Sequence, residues 1–274
     1  MTLFQSILLG IVQGLTEFLP ISSSGHLVLV PHLFGWHIPA KDAFVFNVLV
    51  QLATLIAVFA YFRGELVQIT QAFFEGVAEK RPFGSPRARE GWFILLATIP
   101  ALIIGLALKN SVEQAFTSLT ATALFLFITA GLLLIAERIG KRNRNLDSMH
   151  WKDALMIGIF QALSIFPGIS RSGASITGGM KQDLDRPSAA RFSFLMSIPV
   201  MIAAGAAAML EMTRIPNFTS LLPAFIPGFI TAAVVGYFAI RWLLRFLADH
   251  PLYVFSIYCT AVGLLALGLS FIGR

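Results

Sequence analysis

Apolar residues fall in six nearly unbroken stretches, 43–62, 91–109, 118–137, 189–210, 223–247 and 251–272, with charges, prolines and glycines at their ends. Each approaches or exceeds the roughly 20 residues a helix needs to cross a bilayer. Two further apolar stretches are broken. Residues 3–34 contain Pro20, Ser22, Ser23, Ser24, Gly25 and Pro31; residues 153–180 contain Pro167, Gly168, Ser170, Arg171, Ser172 and Gly173. Irregular backbone at membrane depth is tolerated only where protein or a wet cavity satisfies it. The pattern therefore predicts two re-entrant helix–loop–helix hairpins beside six transmembrane helices. Residues 64–80, mixed in polarity, predict an interfacial helix. The expected fold is an all-α polytopic integral membrane protein forming a single membrane domain over residues 1–274.

Composition agrees. The chain is 57% hydrophobic and 12% charged, whereas soluble chains carry about a quarter charged residues. Cys259 is the single cysteine, so no intrachain disulfide forms. No cleavable signal peptide is expected, because residues 1–19 lack a basic n-region and carry Glu17 in their apolar run. The net charge of +6 has a topological cause. Segments 63–90, 138–152, 180–191 and 241–250 share one side if the spans alternate, and they hold 15 of the 20 Lys and Arg. Lys41, Lys109, Arg214 and Arg274 fall on the other side. That asymmetry obeys the positive-inside rule and places both termini outside. No nucleic-acid partner is required.

The two broken stretches are copies of each other. GIVQGLTEFLPISSSGHL (residues 10–27) aligns with GIFQALSIFPGISRSGAS (residues 158–175) at a constant offset of 148, with nine of eighteen positions identical. The same offset pairs Phe44 with Phe192 and Phe46 with Phe194. Three spans separate the copies, an odd number, so the copies enter the membrane from opposite faces. This predicts an inverted-topology repeat, with repeat one at about 1–137 and repeat two at about 150–274. In that architecture the broken helices build the polar site near the midplane.

Ionisable groups at membrane depth are costly and point to function. Gln13 and Glu17, four residues apart, share a helical face. Ser22, Ser23, Ser24 and Gly25 then lead into a helix carrying His26, and Ser170, Arg171, Ser172 and Gly173 repeat the geometry. Serines at a helix start with free backbone N–H groups suit an anion, above all phosphate, and Arg171 adds a forked cation. Glu17 and His26 are replaced by Ile165 and Ala174 in the second copy, and Ser23 by Arg171. One repeat thus holds groups that attack or move protons, and the other holds the cation. Plainer readings stand beside this. Ser22 reads as a capping residue, and Arg171 can serve as a structural partner of Glu17. His32, His37, His150 and His250 read as interface or loop residues, and Asp153, Asp183 and Asp185 as solvated charges. Walker loops, zinc spacings and the Gly-x-Ser-x-Gly elbow are absent.

The segments QGLTEFLPISSSGH (Gln13–His26) and PGISRSGASITGG (Pro167–Gly179) resemble the two signature motifs of the bacterial undecaprenyl-diphosphate phosphatases, also called bacitracin-resistance proteins. The similarity extends over essentially the whole chain. It implies removal of the terminal phosphate from a C55 polyprenyl diphosphate, which recycles the carrier lipid for peptidoglycan synthesis. It also implies a divalent cation, Mg²⁺ or Ca²⁺, and a site in the bacterial inner membrane open to the periplasm. Many members of the family have Glu at the position of Gln13, and a neutral amide is a weak metal ligand. On this reading Glu17, Ser23, His26 and Arg171 are catalytic, with Glu17 also the metal ligand. Gln13, Ser22, Ser24, Gly25, Ser170, Ser172 and Gly173 bind substrate. Ser23 is the nucleophile, with Glu17 or His26 as base and His26 as acid; a phosphohistidine at His26 is the variant mechanism. The partners are the lipid substrate and membrane lipids, with a homodimer left open. A polyprenyl-phosphate transporter or flippase is the rival that an inverted repeat by itself also supports.

Overall fold

The computed structural model describes residues 1–116, 118–215 and 218–272. Among them there is no strand, and six helices are long and apolar enough to span a membrane. The chain forms α1 (Leu3–Phe18), α2 (Ser23–Leu33), α3 (Ala40–Ala78), α4 (Pro86–Ala107), α5 (Lys109–Phe116), α6 (Leu119–Ile139), α7 (Trp151–Ala162), α8 (Arg171–Lys181), α9 (Arg186–Met212), α10 (Leu222–Asp249) and α11 (Tyr253–Ile272). The six long helices are α3, α4, α6, α9, α10 and α11.

Both predicted breaks are present. α1 stops one residue before Leu19, which is extended (ψ 143°) because Pro20 follows it. α7 runs through a 3₁₀ turn at Leu163–Ile165, and Phe166 is extended before Pro167. Gly168 then takes φ +102°, and a Cβ there would collide with the Thr122 carbonyl, so only glycine fits. Thr129 on α6 secures this break: its hydroxyl donates to the Gly168 carbonyl at 2.8 Å and accepts from the Ser170 N–H at 2.9 Å.

Duplication extends to packing. α1 packs on α10 as α7 packs on α4, while α6 and α11 pack together. Gly10 of α1 lies against Gly228 of α10, and Gly158, its counterpart at the 148-residue offset, lies against Ala97 of α4. Any side chain at either glycine would strike the partner's backbone. We expect Gly158→Leu to abolish recovery of monodisperse protein in detergent. Gly105→Leu, with nothing within 4 Å of its Cβ position, should leave recovery unchanged; size-exclusion chromatography of the two variants checks this.

Two expectations are corrected. Residues 64–78 are not a separate interfacial helix but continue α3, because Ile69 and Phe73 pack against Gly91 of α4 and hold the helix straight past the span. Asp153 is not a solvated charge. It is 5% exposed, accepts from Arg144 at 2.7 Å and caps its own helix by accepting the His150 N–H at 2.9 Å. Asp185 likewise caps α9 through the Ser188 N–H, and Asp183 accepts from the Lys141 N–H.

The basic segments gather at one end of the bundle. Glu65 of α3 is held by Arg87 of α4 and Arg191 of α9. Glu137, whose side chain is 1% exposed, accepts from Arg142, Arg186 and the Leu252 N–H. Three of the inter-helix segments assigned to one side, 63–90, 138–152 and 180–191, are thereby tied together.

Candidate active site

Three polar side chains meet on Glu17: Gln13 and Ser23 from the first broken segment and Arg171 from the second. The carboxylate sits on the last turn of α1 and is 8% exposed. Its Oε2 accepts from the Ser23 hydroxyl at 2.6 Å and from the Gln13 amide at 3.1 Å. Its Oε1 accepts from Arg171 Nη2 at 3.0 Å. Gln13 reaches it along the i, i+4 face of α1. Ser23 reaches it because the Pro20 break folds the start of α2 back over the end of α1. A carboxylate buried in low dielectric needs such company, since an unpaired charge there costs several kcal/mol.

The two helix starts are built alike. Ser22 caps α2 by accepting the Gly25 N–H at 3.3 Å, and Ser170 caps α8 by accepting the Gly173 N–H at 3.1 Å. Each cap hydroxyl also lies near the serine two residues on, Ser24 at 3.3 Å and Ser172 at 3.1 Å. The breaks abut reciprocally. A Cβ at Gly25 would lie 3.4 Å from the Gly168 Cα, and one at Gly173 would lie 3.4 Å from the Pro20 Cβ. Under the 148-residue offset these two contacts exchange. The Ser172 hydroxyl crosses between repeats to the Leu19 carbonyl at 3.1 Å. Gly25 and Gly173 thus sit where the two tips meet, and their N–H groups serve the caps.

The copies differ where chemistry is at stake. Ser22 has φ +72°, ψ 97°, a left-handed conformation rarely tolerated by a side chain, whereas Ser170 has φ −70°. Such a residue costs about 1–3 kcal/mol and persists only where its surroundings impose it. The strain lies next to Ser23, in the repeat that carries the carboxylate.

His26 faces elsewhere. Its Nδ1 lies 2.7 Å from the Ser22 carbonyl and its Nε2 2.8 Å from the Tyr258 hydroxyl. The base in contact with Ser23 is therefore Glu17. Arg171, at the first turn of α8, also donates to the Ser193 carbonyl at 3.4 Å, and Ser193 shares a 2.6 Å hydrogen bond with Ser175. Sequence reasoning missed Tyr258, Thr129 and Ser193, none of which lies in a broken segment, and the buried hub Glu137.

A divalent cation would find few protein ligands here. Among the described residues no three His, Cys, Asp or Glu converge, and Glu17 is the cluster's single carboxylate. Such a set does not cage an ion alone, but it suits Mg²⁺ or Ca²⁺ shared with phosphate oxygens, which commonly needs one or two carboxylates.

Fold and site define an all-α multi-pass membrane protein whose broken helices bury one carboxylate–hydroxyl–guanidinium cluster. The family model described as "Bacitracin resistance protein BacA" matches residues 6–265, and the chain belongs to that family. Similar proteins include an undecaprenyl-diphosphatase of Myxococcus xanthus, 43% identical over all of this chain and 91% of the relative. Others of the same name come from Chlorobaculum tepidum, 41% identical over 96% of this chain and 95% of the relative, and Thermomicrobium roseum, 40% identical over 97% and 98%.

Proposed function

We propose that the cluster around Glu17 is the active site at which this chain hydrolyses undecaprenyl diphosphate to undecaprenyl phosphate and inorganic phosphate. The activity recycles the carrier lipid for cell-wall synthesis and underlies bacitracin resistance, in keeping with the family and its full-length relatives. The 2.6 Å Ser23–Glu17 hydrogen bond carries the mechanistic reading. Glu17 takes the Ser23 proton as Oγ attacks the terminal phosphorus. The bond from phosphorus to the bridging oxygen breaks, and undecaprenyl phosphate leaves with a proton supplied by His26. Water then attacks the phosphoserine, giving its proton to the now neutral His26, while Glu17 returns the Ser23 proton to Oγ as inorganic phosphate departs. Arg171 and the start of α8 face the charge on the transferring group, the main demand of phosphoryl transfer. Ser22, Ser24, Ser170 and Ser172 shape the two tips that hold the phosphates. Mg²⁺ or Ca²⁺, held by Glu17, would neutralise phosphate charge when bound.

The broken helices are read as re-entrant hairpins of an inverted repeat, one per half of the single membrane domain, with the site open to the periplasm. The reciprocal tip contacts support that arrangement. Reporters fused near residues 75, 145 and 247 should then all read cytoplasmic; a periplasmic signal at any one contradicts the topology.

Enzyme and carrier are separated by purified protein in detergent. Phosphate release from a C55 diphosphate, with no second compartment and no membrane potential, is expected. Turnover only in sealed vesicles would favour the transporter.

A further inference from the structure

Outside the Glu17 cluster, a side chain of α11, a helix with no part in either motif, makes a polar contact with His26. The Tyr258 hydroxyl of α11 lies 2.8 Å from His26 Nε2, across 232 residues of sequence. The two rings are parallel to within 8°, with centroids 5.6 Å apart. On the ring's other side Nδ1 lies 2.7 Å from the Ser22 carbonyl. A carbonyl only accepts, so Nδ1 carries the proton. A neutral His26 ring then offers Nε2 as an acceptor, and the phenol is the donor. Both ring nitrogens are thereby specified by fixed partners.

A phenol is unusual among possible partners because it both donates and accepts. When Nε2 gains a proton, the Tyr258 O–H rotates and its oxygen accepts, with no heavy atom moving. The contact therefore survives either protonation state of His26, which a carbonyl or an ammonium partner would not allow. His26 is 6% exposed while Tyr258 is 42% exposed, so the tyrosine stands on the outer side of a buried imidazole. α11 packs against α6, whose Thr129 secures the second break. The tyrosine's helix is thus braced on the same element that holds the arginine-bearing tip.

We propose that Tyr258 is a positioning residue for phosphate release, fixing the neutral His26 ring as its Nδ1–H tautomer and holding the same ring orientation once Nε2 is protonated. This rests on the reading of His26 as the proton donor to the leaving phosphate: with Nδ1 committed to the Ser22 carbonyl, the proton given up is the one on Nε2, held against the Tyr258 oxygen until the leaving oxygen takes it. Tyr258→Phe keeps the ring and its packing and removes the hydroxyl alone. We expect kcat to fall about fivefold, the weight of one neutral hydrogen bond, with KM unchanged. In the His26→Gln background the same substitution should have no further effect, since its action passes through His26. An equal, additive loss in that background would overturn the proposal.

A second readout does not depend on turnover. Carbethoxylation of His26 by diethyl pyrocarbonate, followed by mass spectrometry on folded detergent-purified protein, reports whether Nε2 is engaged. The rate should rise several-fold in Tyr258→Phe. Equal rates in parent and variant would overturn the proposal while leaving the role of His26 intact. Parental turnover by His26→Gln would overturn both, because His26 would then have no proton to deliver.

Discussion

Ser23→Ala should lower kcat by about a thousandfold or more, while Ser170→Ala and Ser172→Ala should cost about tenfold or less. The first removes a nucleophile; the others each remove a neutral hydrogen bond of about 1 kcal/mol. The contrast is sharp because the residues share local geometry. Ser170 and Ser22 are caps with matched acceptor distances, yet only the first repeat places a carboxylate against the adjacent serine. Phosphate-release kinetics on folded, detergent-purified variants make the comparison. Retention of more than about a tenth of parental kcat by Ser23→Ala is incompatible with a nucleophilic serine on transition-state arithmetic. The search would then turn to an acid-labile phosphohistidine at His26.

Arg171→Lys should reduce kcat/KM at least about a hundredfold although charge is kept. Removing the charge altogether would leave Glu17 buried without its counter-ion, which destabilises by about 3–5 kcal/mol and confuses folding with function. Lysine retains an ion pair with Glu17 but lacks the planar fork that, on the proposed mechanism, meets several phosphate oxygens. If the 3.0 Å contact to Glu17 were the whole purpose of Arg171, the lysine variant would turn over nearly as fast as the parent. Steady-state kinetics alongside a thermal melt separate the two roles.

Much of this was legible in sequence for a plain physical reason. Hydropathy over twenty residues marks a span, and Pro20 and Pro167, each amid glycine and serine, disfavour helix at the residue before them. Hence the six long helices and both breaks lie close to where the pattern put them. Charges at membrane depth are rare, so Glu17 and Arg171 were conspicuous, and the structure brings them into contact. What was hidden depended on tertiary partners. Nothing local distinguishes a solvated Asp153 from one buried under Arg144. The continuation of α3 beyond residue 63 depends on Ile69 and Phe73 finding Gly91, which hydropathy does not register. Tyr258 sits in an ordinary apolar span, and only the fold carries it to His26. The preference of Ser23 for Glu17 over His26 was equally invisible, because it follows from the direction in which the Pro20 turn aims the start of α2.

Phosphoryl transfer through Ser23 requires two displacements at phosphorus. The stereochemical course at phosphorus tests it most directly, whether or not an intermediate accumulates. A substrate with a chiral, isotopically labelled terminal thiophosphoryl group would be hydrolysed in labelled water and the configuration of the released thiophosphate determined. Two in-line displacements predict overall retention. Inversion would mean direct attack by water and would contradict a covalent role for Ser23.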